Sequence, residues 1–450
     1  MDAFNENSNE QQAQQPMGCL HRFSKTIKVV IIGLLILLLM IPMFMIENLI
    51  SERGRTQEEA IDEVSEKWSL AQTITGPYLN LQYPVVTENN GEKKVSIKDL
   101  ILFPDELMVN GQLKTEILKR SIYEVNVYQS ELTLKGSFSS EELKKSRIDM
   151  DQLQFDRAAI CLNLTDMRGI SEQISITLGD SVYIFEPGMD NRGIANTGVH
   201  AIANLSELKQ NKKLPYEIKI KLKGSQSLNF IPLGKTTRVD LKANWNTPSF
   251  TGNYLPNNRN ITEKEFSAQW QVLNLNRNYS QVMADYNTSN IKDIENSSFG
   301  VNFKIPVEQY QQSMRSAKYA ILIILLTFGV IFFTEIMNKT RIHALQYLLV
   351  GLALCLFYSL LLSFSEHVGF NPAYLLSSAL TIILVGGYMF GITKKKKPSL
   401  IMSGLLGILY LYIFVLIQLE TFALLAGSLG LFIILAMVMY FSKKIDWFNE

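Results

Sequence analysis

Two apolar runs of membrane-spanning length, joined by a short basic turn, constrain this chain more than any other feature. The runs cover residues 317–337 and 344–364, and Lys339 and Arg341 lie in the turn between them. About 20 apolar residues in a helix cross roughly 30 Å of hydrocarbon, and so short a turn allows only an antiparallel pair. The sequence therefore predicts a helical hairpin across a bilayer.

Four further apolar runs lie at 27–46, 373–392, 400–419 and 422–441. The run at 27–46 is about twenty residues long and no small-residue cleavage site follows it, so it is predicted to be an uncleaved signal anchor. The predicted fold is a membrane α-helical bundle of six transmembrane helices, with a mostly-β domain inserted between the first and second. Its parts are a disordered tail (1–20), the anchor (27–46), the β-rich domain with a juxtamembrane helix (47–316), five helices (317–441) and a second tail (442–450).

Basic residues near the predicted spans are distributed unevenly between the two sides of the membrane. Eleven lysines and arginines flank the side that carries both termini, and four flank the other side. Lysine and arginine concentrate in cytoplasmic loops. Both termini are therefore predicted to be cytoplasmic, and the domain at 47–316 is predicted to be translocated.

The translocated region has the two-residue period of β-strands with one buried face. In the clearest run, Tyr216, Ile218, Ile220 and Leu222 alternate with charged residues. The pattern predicts a sandwich or paired sheets, and the similar segments 132–137 and 220–225 indicate a possible duplicated β unit. Residues 47–71 have helical spacing among many charges, and a solvated stalk is slightly favoured over a helix packed on the domain.

Ionisable residues inside or beside membrane spans are functional candidates because charges are costly in hydrocarbon. Glu335 lies near the cytoplasmic end of its run, where an interfacial anchor paired with Lys339 or Arg341 is favoured over a functional carboxylate. Glu366, His367 and Glu420 lie in outer loops and form a candidate polar mouth. Domain docking is the favoured reading of Glu366 and His367, and proton relay is the alternative.

An aromatic segment in the β-rich domain is a candidate interaction loop. It contains Trp245, Pro248, Phe250, Tyr254 and Pro256. Aromatic rings in a rigid loop can form a binding surface, or they can pack on the domain core. Both interpretations remain open.

Other signals are weaker. Gly387 and Gly391 have the spacing that lets membrane helices pack closely. His200 is the single histidine of the translocated domain, so a hydrolase would have to use it as its base. A net charge of +1 argues against nucleic acid as a partner. No metal site and no cofactor are expected.

Several short segments in both halves of the chain resemble the CreD family of inner-membrane proteins, also described as cell envelope integrity proteins. They are KYAI (318–321), TE (334–335), QYLLVGL (346–352), LSFSEHVGF (362–370), DMRG (166–169) and GVH (198–200), together with Trp245 and Leu255-Pro256.

The resemblance implies a bacterial inner-membrane protein with a periplasmic β domain, linked to envelope integrity and to a stress response. It implies no defined reaction, so no catalytic residue is expected. The favoured function is non-enzymatic sensing or scaffolding of envelope components. The alternatives are transport or lipid handling through the polar mouth and, more weakly, hydrolysis with His200. The expected partners are the lipid bilayer and either other envelope proteins or cell-wall components.

Overall fold

The computed structural model describes residues 24–443 apart from 90–91, 146–147, 190–193, 196, 211, 285–287, 304, 306–307, 339–340 and 420–421. The predicted tail at 1–20, and Lys339 and Glu420, lie outside the described residues. The chain divides into two units. One, called the membrane unit below, comprises Met1–Thr56 and Val307–Glu450, and the β-rich unit is Gln57–Pro306.

The helices in the described part of the chain are α1 (Ser24–Trp68), α2 (Glu141–Lys145), α3 (Thr288–Asn296), α4 (Glu308–Lys318), α5 (Ala320–Asn338), α6 (Ala344–Val368), α7 (Phe370–Thr393), α8 (Lys396–Gln418) and α9 (Ala423–Ser442). By length and composition, five of those described could cross a membrane: α1, α5, α6, α7 and α8. The apolar stretch of α9, Leu424–Tyr440, is shorter.

Local signals set the ends of the hairpin helices. α6 begins with a capping box, in which His343 accepts a hydrogen bond from the Leu345 amide and Gln346 accepts one from the His343 amide. It ends at Gly369, whose φ of +79° is a conformation that favours glycine. Phe370 begins α7 directly after this glycine.

The solvated-stalk interpretation of the segment after the anchor is wrong. α1 is one continuous helix of 45 residues, and from Gln57 onward it belongs to the β-rich unit. There Ser65 is 1% exposed, and the Trp68 indole donates a hydrogen bond to the Tyr128 carbonyl at 3.4 Å. Val64 and Trp68, two of the apolar residues at helical spacing, line a groove together with Leu118 of the same unit. Their contact removes apolar surface from water.

Seventeen strands are described in the β-rich unit. They are β1 (Gln72–Asn89), β2 (Glu92–Leu102), β3 (Glu106–Arg120), β4 (Tyr123–Phe138), β5 (Ala158–Leu164), β6 (Ser175–Leu178), β7 (Ser181–Ile184), β8 (Glu186–Pro187), β9 (Val199–Ala203), β10 (Leu214–Ser225), β11 (Ser227–Phe230), β12 (Thr236–Ala243), β13 (Ser249–Gly252), β14 (Asn258–Ile261), β15 (Phe266–Leu273), β16 (Val282–Ala284) and β17 (Phe299–Asn302).

The strands form two sheets that share one core. The first has the order β13-β17-β11-β1-β5-β9-β8, with β2 added to β1 and β16 to β2. The second has the order β14-β15-β12-β3-β4-β10-β6-β7. The predicted alternation is confirmed in β10, where Tyr216, Ile218, Ile220 and Leu222 are at most 3% exposed. These residues belong to the same hydrophobic cluster as Leu79 of the first sheet, so the shared core lies between the two sheets.

The two similar segments of the sequence are partners in the second sheet. β4 and β10 pair antiparallel, so that Gly136 lies opposite Tyr216 and Gly224 lies opposite Tyr128. A Cβ placed on either glycine would lie 2.6 Å or less from the facing tyrosine hydroxyl oxygen. Any antiparallel pair of strands has a local twofold relation, so the duplicated β unit stays a prediction.

Candidate functional site

A largely buried carboxylate near the end of α5 has polar partners in α1, in α6 and in the loop between α5 and α6. Glu335 forms an ion pair with Lys28 of α1, and its side chain is 12% exposed. Its Oε2 accepts a hydrogen bond from the Tyr347 hydroxyl of α6 at 3.1 Å, and its Oε1 accepts one from the Ile342 amide at 3.2 Å. The Lys28 ammonium also donates to the Ile342 carbonyl at 2.9 Å. We call these four residues the Glu335 cluster.

The sequence had indicated different partners for this carboxylate. Lys339 lies outside the described residues and Arg341 is exposed; among the described residues, Lys28 forms the ion pair with Glu335. Hydrogen bonds and a counter-charge offset the desolvation of a carboxylate, so this arrangement makes burial tolerable. Lys28 was visible in the sequence only as one of several basic residues at the start of the anchor, because its partner is 307 residues away.

A second carboxylate, near the end of α6, has a similar set of partners. Glu366 accepts a hydrogen bond from the Tyr310 hydroxyl of α4 at 3.0 Å, and Arg53 Nε of α1 lies 3.9 Å from the same oxygen. The Glu366 side chain is 13% exposed, whereas His367 is exposed. We call Arg53, Tyr310 and Glu366 the Glu366 cluster. Tyr310 and Arg53 were not singled out in the sequence, since neither belongs to a recognisable motif.

The predicted polar mouth is thus described only in part. The Glu366 carboxylate contacts Tyr310 and Arg53, whereas the His367 side chain is exposed. Glu420 lies outside the described residues. Near the same ends of the helices, the Gln418 amide donates to Asn371 at 2.7 Å and links α8 to α7.

The two clusters are spaced to suit the two faces of a bilayer. Lys28 and Arg53 are 25 residues apart on α1, which corresponds to about 38 Å along a helix. The hydrocarbon core is only about 30 Å thick. Each cluster can therefore lie at a water interface, where a charged group costs less than in hydrocarbon.

Within the β-rich unit, Asp166 and Arg168 hold the end of α1. Arg168 Nη1 donates to the carbonyl of Glu66 in the last turn of the helix at 2.6 Å. Asp166 receives two hydrogen bonds of 3.0 Å from the Arg168 guanidinium and one of 2.9 Å from the Leu70 amide. Unpaired carbonyls at a helix end need such donors, so this pair acts as a C-terminal cap.

The environment of Asp166 favours its charged form. Burial alone would raise the pKa of this carboxyl, but the hydrogen bonds from Arg168 and from the Leu70 amide outweigh burial and hold the pKa below its usual range. Asp166 is therefore ionised at neutral pH, and the cap has its full charge there.

The aromatic residues of the candidate interaction loop are half-buried. Phe250 packs edge-on against Trp270, with ring centroids 5.6 Å apart, and Tyr254 packs edge-on against Phe299 at 5.8 Å. Trp245 donates to the Thr247 carbonyl at 3.0 Å. The rings of Phe250 and Tyr254 contribute to the core, while Leu255, 67% exposed, is the most accessible apolar residue of the loop. A binding role for Trp245, Pro248, Phe250, Tyr254 and Pro256 stays a prediction.

The glycine that permits close helix packing is a neighbour of the predicted pair. A Cβ on Gly386 of α7 would lie 2.1 Å from the Ser403 hydroxyl oxygen of α8. Gly387 and Gly391 are exposed, and within the described chain no atom lies within 4 Å of a Cβ placed on either. The helical phase explains this correction, because residue 386 points at α8 and residues 387 and 391 point away from it.

His200 lies in the first sheet and is 8% exposed. It is in β9, opposite Cys161 of β5, and its Nδ1 is 2.7 Å from the Gly188 carbonyl oxygen. A carbonyl can only accept, so Nδ1 carries the proton and donates. This hydrogen bond gives the histidine a structural role in its strand and weakens the hydrolase interpretation.

Comparisons with known proteins cover both units. A family model described as Inner membrane protein CreD matches residues 24–448. Inner membrane protein CreD of Escherichia coli (strain K12) is 32% identical over 420 residues, which are 92% of this chain and 91% of that protein. The range matched by the family model contains the Glu335 cluster, the Glu366 cluster and the Asp166–Arg168 cap.

Proposed function

The chain belongs to the CreD family of inner membrane proteins, and from this premise we propose that it is a non-enzymatic protein of cell-envelope integrity or envelope-stress response. In this proposal the β-rich unit is periplasmic and senses or scaffolds envelope components. The membrane part crosses the bilayer six times, at 27–46 and within 317–441. Both termini are cytoplasmic.

The observation that carries the proposal is the common design of the two charged clusters. Glu335 and Glu366 each accept a hydrogen bond from a tyrosine hydroxyl, and each lies beside a cationic side chain of α1. Both carboxylates are thereby used to hold one helix, which is a structural use of charge. The same helix is capped by Arg168 in the β-rich unit. A ligand that altered this cap would act on the same continuous helix that supplies Lys28 to the Glu335 cluster.

The orientation is tested with reporter fusions. Alkaline phosphatase needs disulfides that form in the periplasm and not in the cytoplasm. A fusion after Gly300 is expected to be active and a fusion at Lys395 to be inactive. Green fluorescent protein at the same two positions serves as the control and should fluoresce only at Lys395. The opposite pattern at both positions would overturn the orientation, whatever the protein does.

A second candidate function is transport or lipid handling, with Glu366 and His367 at a polar mouth. It is supported by the position of Glu366, a carboxylate 13% exposed at the end of a membrane helix and bound to Tyr310. The polar mouth would then open when the Glu366 carboxylate releases the Tyr310 hydroxyl and close when this hydrogen bond forms again.

The doubly neutral variant Glu366→Gln, His367→Gln separates the two functions. It would be expressed in cells that lack the native gene, and survival in detergent and bile salts would be measured. We expect protection to remain within about twofold of wild type, because glutamine still accepts a hydrogen bond from Tyr310 and a single hydrogen bond contributes only about 1 kcal/mol. Protection that falls to the level of the empty vector, at equal protein abundance, would favour the second function.

A further inference from the structure

An apolar cavity lies between three helices of the membrane unit. Its volume is about 370 Å³, and α5, α8 and α9 line it. The lining residues are almost all aliphatic or aromatic: Leu325, Gly329, Phe333, Ile408, Ile433 and Met437 are representative. The hydroxyl of Tyr412, which also lines the cavity, donates to the Ala426 carbonyl at 2.9 Å, so it is already used. The cavity therefore offers a ligand little besides apolar contact.

This lining determines what can occupy the cavity. An apolar cavity does not hold water, because water there would lose its hydrogen bonds. Its rim is open, since Leu325, Ile408 and Ile433 are 49%, 68% and 49% exposed. The parts of these helices that line the cavity are apolar, and in a membrane an open apolar rim faces acyl chains. A volume of this size is within the roughly 300–1,000 Å³ typical of small-molecule sites.

A glycine creates part of the space. No described atom lies within 4 Å of a Cβ placed on Gly329 of α5, and the cavity lies beside this position. A side chain at residue 329 would extend into the cavity. The lack of a side chain there leaves a groove along α5 that an acyl chain can follow.

One end of the cavity is directed toward a group of lysines. α8 begins at Lys396 and α9 is followed by Lys443, and Lys394, Lys395 and Lys397 are also exposed. Lys396 is nine residues from the lining residue Leu405, and Lys443 is five residues from Val438. These separations correspond to about 14 and 8 Å along a helix. Exposed lysines at a membrane surface attract anionic headgroups, by about 1 kcal/mol each.

We propose that the cavity is a binding site for one anionic phospholipid, with an acyl chain between α5, α8 and α9 and its headgroup beside Lys394–397 and Lys443. The inference goes beyond the envelope role. It uses the orientation proposed above only to place the headgroup in the cytoplasmic leaflet. If the orientation were reversed, the site would remain and the leaflet would change.

The test uses the full chain in phosphatidylcholine vesicles that contain a tenth of phosphatidylglycerol with a diazirine in its acyl chain. After irradiation, labelled peptides are mapped by mass spectrometry. We expect labelling concentrated on α5, α8 and α9, and about fivefold weaker when the diazirine is on phosphatidylcholine at the same fraction. Labelling spread evenly over the exposed faces of all helices, or equal for the two lipids, would overturn the proposal.

A matched pair of variants tests the cavity itself. Gly329→Phe fills it and should lower labelling of these three helices about tenfold, because an overfilled site loses ligand contacts. Gly387→Phe adds the same side chain on an exposed face of α7 and should leave labelling unchanged. Equal labelling of the two variants would contradict the assignment. The wild-type map decides the question even if Gly329→Phe fails to fold.

Discussion

Replacing Glu335 by alanine is expected to lower the free energy of unfolding by about 2 kcal/mol, less than the cost of removing one partner from a fully buried ion pair, because the Lys28 and Glu335 side chains are 27% and 12% exposed. The change leaves the Lys28 ammonium, the Tyr347 hydroxyl and the Ile342 amide without their shared acceptor. The Lys28 side chain is 27% exposed, so water solvates it only in part. Unfolding of the purified protein in detergent micelles, followed by circular dichroism, measures the loss.

Control variants make this result specific to the Lys28 pair. Glu335→Gln keeps an acceptor for Tyr347 and should lose less, and Lys28→Met combined with Glu335→Gln should lose less than the sum of the two single changes. Arg341→Gln removes one of the two cations that the sequence had indicated as partners, and because Arg341 is exposed it should change stability by less than about 0.5 kcal/mol. A large loss from Arg341→Gln with no loss from Glu335→Ala would refute the assignment.

The second large effect is expected in the second sheet, near the end of β4. Gly136→Ala should lower stability by about 3 kcal/mol, at the upper end of the cost of overpacking. A Cβ at this position would lie 1.8 Å from the Glu106 carbonyl oxygen. That oxygen also accepts the Tyr216 hydroxyl at 3.0 Å, and β4 is hydrogen-bonded on both sides, so the backbone has little freedom to move away.

The related glycine supplies a graded comparison. At Gly224 the nearest atoms belong to the Tyr128 side chain and not to the backbone, so Gly224→Ala should cost less than Gly136→Ala. Gly33→Ala, where a Cβ meets nothing within 4 Å, should be close to neutral. Tryptophan fluorescence, which reports on Trp68, Trp245 and Trp270 in the β-rich unit, gives the unfolding midpoints. Equal midpoints for Gly136→Ala and Gly33→Ala would show that β3 leaves room for a Cβ at residue 136 of β4.

The sequence predicted secondary-structure elements correctly where the signal is a local pattern of apolar residues. Alternation placed Tyr216, Ile218, Ile220 and Leu222 on the buried face of β10, and all four are at most 3% exposed. Apolar length likewise located α5 to α8 within a few residues of their ends. Such patterns can be recognised in the sequence because the side chains of a helix or strand return to the same face at a fixed spacing, whatever else the element packs against.

The sequence did not predict which side of a membrane helix faces its neighbour. The spacing of Gly387 and Gly391 indicated a packing face, yet the close approach is made by Gly386. Residues 386 and 387 are separated by about 100° around a helix of 3.6 residues per turn. The buried side of α7 carries small and hydroxyl residues such as Ser377 and Thr381, whereas its exposed side carries large apolar residues such as Leu380 and Ile383. The spacing of two glycines was therefore a poorer guide to the packing face than the distribution of small polar residues.

The order of the amino acids alone was sufficient for the apolar helices, the β-rich domain, the family and the charged residues worth attention, because each depends on local composition or on a short motif. The tertiary structure decided which charges meet. Lys28 joins Glu335 and Arg53 approaches Glu366 across hundreds of residues, and Arg168 caps α1 from within a sheet domain. An ion pair requires two atoms within about 4 Å, and only the packing of α1 against α4, α5 and α6 brings these groups that close.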